Sequence, residues 1–325
     1  MRAYIIRRLF IMIPTLLLLT ILIFFLVHLM PGEIADAMIG TMGVEDLDKE
    51  AIMARLGLDA PLVVQYGRWM GVVPQKDGDL SGLFQGSLGG SWWSGSSVSD
   101  LLAVRWPVTL ELGLMGLIIA QLIALPIGIF SALRQDKWGD YIGRSFAMVC
   151  ISIPGFWLAT LVIIFPAIWW SYMPPIMLIH FTEDPIGNLQ MFIVPAIILG
   201  MAMSGMTMRM TRSMMLEVLR QDYIRTAWAK GLRERVVILR HALKNALIPV
   251  ITIIGLQLPI MIGGTVIIEQ IFSLPGMGRL LIFAAQHRDQ PLISGISLIF
   301  SASLVLINLM VDLTYGFLDP RVHYK

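Results

Sequence analysis

Long apolar runs separated by short polar segments dominate the chain, and this alternation predicts helices that cross a membrane. Six runs are long enough to cross a hydrocarbon layer of about 30 Å. They are Leu9–Met30, Val108–Leu133, Phe146–Trp169, Phe192–Met210, Leu247–Ile268 and Ile293–Thr314. Pro154 lies within the third run and predicts a kink there, because proline interrupts helical hydrogen bonding. The expected fold class is an all-α membrane protein with six transmembrane helices.

Composition supports the membrane class. Hydrophobic residues make up 57% of the 325 residues and charged residues only 14%, with a mean hydropathy of +0.77. A soluble domain cannot bury so much apolar surface. Cys150 is the only cysteine, which excludes an intrachain disulfide and a cysteine metal site. The first run is too long for the apolar part of a signal peptide, so we expect Leu9–Met30 to remain as an uncleaved span.

One extended polar region follows the first span. Residues 31–105 carry ten acidic and only five basic side chains, with a turn-rich run from Gly86 to Ser91. The segment Asp48–Leu56 predicts a short helix. The sequence leaves two interpretations open for this region, a docking surface for a partner protein and a disordered spacer.

A short basic segment, Asp222–Pro249, lies between the fourth and fifth apolar runs. It carries six basic side chains against two acidic ones, which places it on the cytoplasmic side of a membrane. With both termini inside, 17 Lys and Arg residues lie inside and seven outside. The inverted orientation would strongly violate the positive-inside rule.

The first part of this basic segment has a helical pattern. Asp222 is expected to cap the helix N-terminus. Apolar side chains repeat every fourth residue and predict one stripe: Ile224, Trp228 and Leu232. Ala227 and Gly231 predict a smooth strip beside it, and Gly231 is expected to end the helix in the left-handed conformation. A second amphipathic segment, Val236–Leu243, leads into the next span.

Catalytic and nucleotide-binding motifs are absent from the sequence. There is no G-x-x-x-x-G-K-[ST] motif, so we do not expect the chain to bind ATP phosphates by itself. There is also no H-E-x-x-H metal motif. Three acids lie near the ends of predicted spans, where we expect them to act as structural anchors: Glu111, Glu269 and Asp312.

The basic segment resembles the cytoplasmic coupling segment, or EAA loop, of binding-protein-dependent ABC importers. The matching stretches are Asp222–Ala227, Ala229–Leu232 and Arg240–Pro249. Within that superfamily the chain is similar to the B-type permease subunit of the oligopeptide/dipeptide branch. Further matches to this branch cover much of the chain: Gly57–Pro61, Pro107–Leu112, Ser152–Phe156, Phe272–Arg279 and Leu318–Arg321. Arg225-Thr226 replaces the Glu-Ala of the general motif, and Trp228 stands where the branch often has Arg.

The resemblance implies an ABC importer permease fold, with a cytoplasmic coupling helix between spans 4 and 5. It implies three regions: residues 1–30 as tail and first span, 31–106 as an external loop, and 107–325 as a core of five spans with the coupling segment at 216–246. The implied function is ATP-driven uptake of di- or oligopeptides, with this chain forming half of the pathway. Nickel complexes, glutathione and glycosides remain alternative substrates, and a self-sufficient secondary transporter is the alternative class.

The resemblance also implies partners and a site. The expected partners are a homologous second permease subunit, two cytoplasmic ATPase subunits, an external substrate-binding protein and the lipid bilayer, but no nucleic acid. The chain is not expected to be an enzyme or to hold a cofactor or metal, because ATP and Mg²⁺ would be bound by the ATPase subunits. The expected location is a bacterial or archaeal cell membrane. The residues expected to couple to the ATPase are Asp222, Tyr223, Arg225, Thr226, Ala227, Ala229, Lys230, Gly231 and Leu232.

Overall fold

The computed structural model describes residues 2–29, 32, 39, 48–171 and 177–318, and this part of the chain contains helices and no strand. A 3₁₀ turn at Leu83–Gln85 and a π-helix at Val237–Ala242 accompany the α-helices. The α-helices are α1 Arg2–His28, α2 Lys49–Leu56, α3 Leu62–Met70, α4 Val98–Leu133, α5 Trp138–Ser152, α6 Gly155–Trp170, α7 Pro185–Leu219, α8 Asp222–Ala229, α9 Glu234–Val236, α10 Leu243–Ile271, α11 Met277–Gln286 and α12 Gln290–Leu318.

Five of the described helical stretches are long and apolar enough to cross a membrane. They are Ile6–His28, Val98–Leu133, Pro185–Leu219, Glu234–Ile271 and Gln290–Val311. The pair α5–α6 makes a sixth if it is counted as one bent span. The predicted all-α membrane fold is therefore confirmed.

The third predicted span, Phe146–Trp169, is wrong as a continuous helix. The chain bends by 91° between α5 and α6, at the position of Pro154. Ile153 adopts an extended backbone with φ −82° and ψ 119°, as expected for a residue that precedes proline. The predicted kink is thus at the right place, but the helix is broken there rather than bent.

Several helices extend beyond the predicted apolar runs. The fourth run was expected at Phe192–Met210, whereas α7 extends from Pro185 to Leu219. Asp184 caps its N-terminus by accepting hydrogen bonds from the backbone N–H groups of Ile186 at 3.1 Å and Gly187 at 3.0 Å. Polar residues continue these helices because backbone hydrogen bonding does not require an apolar environment.

The chain divides into two compact units, with boundaries within α4, between α10 and α11, and within α12. The first unit comprises Arg2–Val108 and Pro275–Val305, and the second comprises Thr109–Leu274 together with the chain from Leu306 onward. The core of the first unit contains buried apolar side chains from α1, α4, α11 and α12, including Val27, Val98, Met277, Ala284 and Ile296.

The polar region after the first span is folded where the structure describes it. Asp48 caps α2 by accepting a hydrogen bond from the N–H of Glu50 at 3.0 Å, which confirms the predicted short helix. Helix α3 packs against α1, and the hydroxyl groups of Thr20 and Tyr66 share a hydrogen bond of 2.9 Å. The interpretation as a disordered spacer is therefore wrong for residues 48–105.

A buried carboxylate fixes the turn that precedes α4. Asp289 is fully buried and accepts a hydrogen bond of 2.5 Å from the Ser91 hydroxyl. Its oxygens also accept from the backbone N–H groups of Trp92, Trp93 and Leu292, each at 3.3 Å. Several donors therefore compensate the burial of this side chain, which connects the turn to the start of α12.

In the second unit, α4, α7 and α10 pack closely. A Cβ atom added at Gly200 would lie 2.8 Å from the carbonyl oxygen of Gly116, so glycine permits this approach of α7 to α4. The buried Gln257 side chain of α10 donates to the Met203 carbonyl at 2.8 Å and to the Thr207 hydroxyl at 2.9 Å. These contacts connect α10 to α7 within the apolar part of the unit.

Candidate functional site

The candidate site is the short helix α8 and the turn that follows it. Helix α7 ends at Leu219, and α8 begins at Asp222 after two connecting residues. A helix of eight residues is marginal by itself in water, since isolated helices shorter than about 12–15 residues barely form. Contacts with the rest of the chain must therefore stabilise α8.

Two side chains of α8 supply these contacts. Ile224 is fully buried and Ala227 is nearly so. They pack with buried side chains of α4, α7, the π-helix and α10, namely Ala132, Met215, Val237, Ile238, Ala242 and Ala246. We call this set the coupling core. It connects α8 directly to the ends of the helices that flank it in sequence.

The predicted apolar stripe is wrong as a single surface. Ile224 faces the coupling core, whereas Trp228 and Leu232 remain 43% and 37% exposed. The predicted strip of Ala227 and Gly231 is likewise divided, because Ala227 is buried and Gly231 is exposed. The buried residues Ile224 and Ala227 are three positions apart, so they share the inner face of a helix that ends before Leu232.

Gly231 ends this segment as predicted. It adopts the left-handed conformation with φ +71°. Its N–H donates to the Trp228 carbonyl at 2.9 Å, and the N–H of Leu232 donates to the Ala227 carbonyl at 3.4 Å. A Cβ atom added at Gly231 would meet nothing within 4 Å. A side chain at this position would therefore project into open space in this chain.

The remaining predicted site residues, together with Trp228, form an exposed surface, which we call the α8 surface. It consists of Asp222, Tyr223, Arg225, Thr226, Trp228, Ala229, Lys230, Gly231 and Leu232. Two contacts within the chain order it. The Tyr223 hydroxyl accepts a hydrogen bond from the Asn245 side chain at 2.8 Å, and the Thr226 hydroxyl donates to the Asp222 carbonyl at 3.0 Å.

The prediction that Asp222 caps the N-terminus of α8 is wrong. Gln221 occupies the N-cap position without a side-chain hydrogen bond, and Asp222 is the first helical residue. Its carboxylate lies 3.3 Å from the Arg225 guanidinium, a contact between two exposed side chains that contributes little to stability. A negative charge in the first turn still interacts favourably with the helix dipole.

The second half of the basic segment continues into α10. Helix α9 begins after Arg233, and the π-helix Val237–Ala242 joins it to α10 without a break. Val237, Ile238 and Ala242 are buried while Arg240 is exposed, which confirms the predicted amphipathic character. The sequence did not predict the π-helix, a wide helical turn that often occurs at functional positions.

A buried ion pair near the coupling core was not predicted from the sequence. Asp140 of α5 is fully buried, and Arg212 of α7 binds both of its carboxylate oxygens at 2.6 Å. The carboxylate also accepts from the Ser131 hydroxyl at 2.5 Å and from the backbone N–H of Asp136 at 3.0 Å. Ser131 directly precedes Ala132 of the coupling core. This pair therefore holds the ends of α4, α5 and α7 together.

Of the three predicted anchoring acids, Glu269 is fully buried and accepts a hydrogen bond from the Thr109 hydroxyl at 2.7 Å. This contact connects α10 to α4 and agrees with an anchoring role. Glu111 is partly buried in α4. The side chain of Asp312 lies outside the described residues.

Two solved structures share the helical fold of this chain. One is a crystal structure of an amino acid ABC transporter with histidines, with a TM-score of 0.53 and 15% identity over 67% of this chain and 94% of that chain. The other is an inward-facing structure of the MetNI methionine ABC transporter, with a TM-score of 0.53 and 16% identity over 67% and 96%. The fold is that of an ABC transporter permease.

Family comparison then identifies the kind of permease. The profile described as "Binding-protein-dependent transport system inner membrane component" matches residues 124–324, and the corresponding N-terminal profile matches residues 1–113. The chain belongs to this family. It is a multi-pass inner-membrane permease subunit of an ABC importer and not an enzyme, and its partners are ATPase subunits and a substrate-binding protein.

Three similar proteins are aligned over nearly their full length. A protein of Brucella suis biovar 1 (strain 1330), provisionally named a peptide transport system permease protein, is 41% identical over 100% of both chains. The dipeptide transport system permease protein DppB of Escherichia coli (strain K12) is 37% identical, also over 100% of both. The glutathione transport system permease protein GsiC of Salmonella paratyphi A (strain ATCC 9150 / SARB42) is 37% identical over 99% of both.

Proposed function

We propose that this chain is one of two related, non-identical permease subunits of an importer for di- or oligopeptides, and that it forms half of the translocation pathway. The observation that carries the proposal is the α8 surface, which is exposed on one side and connected through the coupling core to two spans on the other. The names of the similar proteins, which refer to peptide, dipeptide and glutathione transport, support a peptide substrate.

In this proposal one of two ATPase subunits binds the α8 surface. When the ATPase subunits bind ATP and associate, they displace α8. Ile224 and Ala227 interlock with Met215 of α7 and with the buried face of the π-helix, so α8 cannot move without these neighbours. The displacement therefore reaches α7 and α10 together and switches the spans between inward- and outward-open arrangements.

The proposed orientation places the α8 surface and both termini in the cytoplasm. The distribution of 17 Lys and Arg residues inside and seven outside supports this orientation. The membrane would be that of a bacterial or archaeal cell. In the same orientation residues 31–106 form the external loop, and residues 107–325 form the core permease with the coupling segment at 216–246.

The external loop is proposed to contact the substrate-binding protein. Its described part is folded, with α3 held against α1 and the turn at Ser91 held by Asp289. A folded surface can bind a partner without first paying the entropic cost of ordering a loop. This supports a docking role over that of a passive spacer.

Reconstitution in proteoliposomes tests the proposed function. The permease pair, the ATPase subunits and the binding protein should accumulate a labelled dipeptide only when ATP is supplied to the cytoplasmic side. The chain alone should neither hydrolyse ATP nor accumulate the dipeptide. Accumulation by the chain alone in response to an ion gradient would instead indicate a secondary transporter and contradict the proposal.

Substrate competition in the same assay separates the alternatives within the family. An excess of unlabelled di- or oligopeptide should abolish uptake of the labelled dipeptide. A nickel complex or a glycoside at the same concentration should leave it unchanged. Accumulation of labelled nickel complex or glycoside, with no accumulation of any peptide, would reassign the substrate class while leaving the coupling role of α8 intact.

A further inference from the structure

The first unit contains a cavity that none of the proposed roles uses. Its volume is about 460 Å³, and it lies among α1, α2, α3, residues 75–92 and the start of α12. This volume falls within the range of small-molecule sites, roughly 300–1,000 Å³. Aromatic side chains form part of its wall, namely Phe24, Trp69 and Trp92. The cavity contains no residue of the α8 surface or the coupling core.

Two residues that line this cavity, Arg68 and Trp69, each carry a buried hydrogen-bond donor without an acceptor. The Nη1 atom of Arg68 and the Nε1 atom of Trp69 are both buried and lack a hydrogen-bond partner among the described residues. The Nε atom of Arg68 donates to the Pro74 carbonyl at 3.3 Å, which positions the guanidinium but leaves Nη1 unpaired. Buried donors without a partner are rare and costly, so two on adjacent residues of one cavity indicate a missing acceptor.

The charges around the cavity indicate that the acceptor is an anion. Three cationic side chains line the cavity, namely Arg55, Arg68 and Lys76. Asp77 is the one carboxylate among the lining residues. Lys76 is already paired with Asp59 at 2.7 Å. The hydrogen bond from Lys76 is the main reason that the pKa of Asp59 lies below its usual value, and the charge of Arg68 contributes less. No carboxylate lies within ion-pair distance of Arg68 in the part of the chain that the structure describes.

We propose that this cavity binds a small carboxylate that carries an apolar side group. Small shifts of the two side chains bring these buried donors to the cavity surface, so that one carboxylate oxygen accepts from Arg68 Nη1 and the other from Trp69 Nε1. The side group packs against the rings of Phe24 and Trp92. A phosphate carries more charge and more oxygen acceptors than these two donors satisfy, so the site favours a carboxylate. The proposal does not depend on the coupling role of α8.

Binding of N-acetylleucine to the full chain in lipid nanodiscs tests this site. The measurement is ligand-observed saturation-transfer NMR, with empty nanodiscs as the blank. The acid should bind saturably, whereas N-acetylleucinamide, which has the same side group without the charge, should bind at least about tenfold more weakly. This comparison uses the unmodified chain, so misfolding of a variant cannot produce the difference.

Variants then locate the binding. Arg68→Gln should weaken binding of the acid about tenfold or more, and Trp69→Phe about threefold to tenfold, because each removes one donor. Lys49→Gln is the matched control. It removes a positive charge from an exposed side chain of α2 that does not line the cavity, and it should change the affinity less than about twofold.

Four outcomes overturn the proposal. The first is the absence of saturable binding of the acid, and the second is equal affinity for the acid and the amide. The third is a failure of the variant pattern, namely a loss with Lys49→Gln as large as that with Arg68→Gln, or full affinity in both Arg68→Gln and Trp69→Phe. The fourth is displacement of the acid by an equal concentration of inorganic phosphate, which would assign the cavity to phosphate groups instead.

Discussion

Substitution of Gly231 separates the requirements of this chain from those of a bound partner. The left-handed conformation at φ +71° costs a non-glycine residue roughly 1 kcal/mol, and Asp tolerates it better than most residues do. A Cβ atom would meet nothing within 4 Å, so no steric cost arises inside the chain. The isolated permease with Gly231→Asp should therefore fold and insert with nearly normal stability.

In the complex with an ATPase subunit, Gly231→Asp should have a larger effect than in the isolated permease. In the complex, Gly231→Asp adds bulk to the contact and a carboxylate that loses its hydration. A cost of about 2 kcal/mol for this desolvation corresponds to about 30-fold weaker binding of the ATPase. Gly231→Ala adds neither charge nor much bulk. Its loss should be at most about fivefold, the limit reached if the free chain relaxes from the left-handed conformation and binding restores it at a cost of about 1 kcal/mol.

Co-purification of the ATPase subunits and peptide uptake measure these effects at matched permease levels. Gly86→Asp is the control, because Gly86 has φ +78° and equally open surroundings but lies in the external loop. It should retain the ATPase and transport normally. Normal ATPase retention in Gly231→Asp, or an equal loss in Gly86→Asp, would refute the reasoning.

Three further predictions concern the buried contacts and the topology. Asp140→Asn should destabilise the purified permease by about 3–5 kcal/mol, measured by thermal unfolding in detergent, because it leaves the Arg212 charge without its partner. Asp289→Ala should destabilise the first unit by about 3 kcal/mol, measured as faster limited proteolysis after residue 90, because several buried donors lose their acceptor. The controls are substitutions of exposed acids, Asp136→Asn and Asp100→Ala, and they should have little effect on stability. Unchanged stability in Asp140→Asn or Asp289→Ala would contradict the role assigned to that carboxylate. In a chain without Cys150, an impermeant external thiol reagent should label cysteine at Ser81 and Glu183 but not at Glu234, and the opposite pattern would invert the topology.

Local sequence pattern predicted those features that depend on neighbouring residues. The left-handed cap at Gly231 and the short helix after Asp48 were both predictable from the sequence, because a glycine or a capping side chain acts within a few positions. The position of the break at Pro154 was predicted correctly, but a kink was expected and the helix is interrupted by a bend of 91°. Its size depends on the extended backbone of Ile153, which a proline favours without requiring.

Features that depend on tertiary packing were not predictable. The inner face of α8 is set by which neighbours cover Ile224 and Ala227, and an isolated apolar stripe does not contain that information. Asp140 and Arg212 are 72 residues apart, and each belonged to a segment interpreted as polar. Helix α11 is ten residues long, which is too short to be recognised as a membrane span from the sequence. Asn188 lies in the polar stretch between the third and fourth predicted spans, but it is buried, and its side chain donates to the Ile179 carbonyl at 2.9 Å.

Site-specific photo-cross-linking from Ala229 in the assembled transporter tests the central claim most directly. Ala229 is an exposed residue of the α8 surface, whereas Phe84 is exposed in the external loop and serves as the control. A photoreactive residue at Ala229 should give a product with the combined mass of the permease and one ATPase subunit, and the same residue at Phe84 should not. The absence of this product from Ala229, or its formation from Phe84, would contradict the assignment of α8 as the helix that couples ATP hydrolysis to transport.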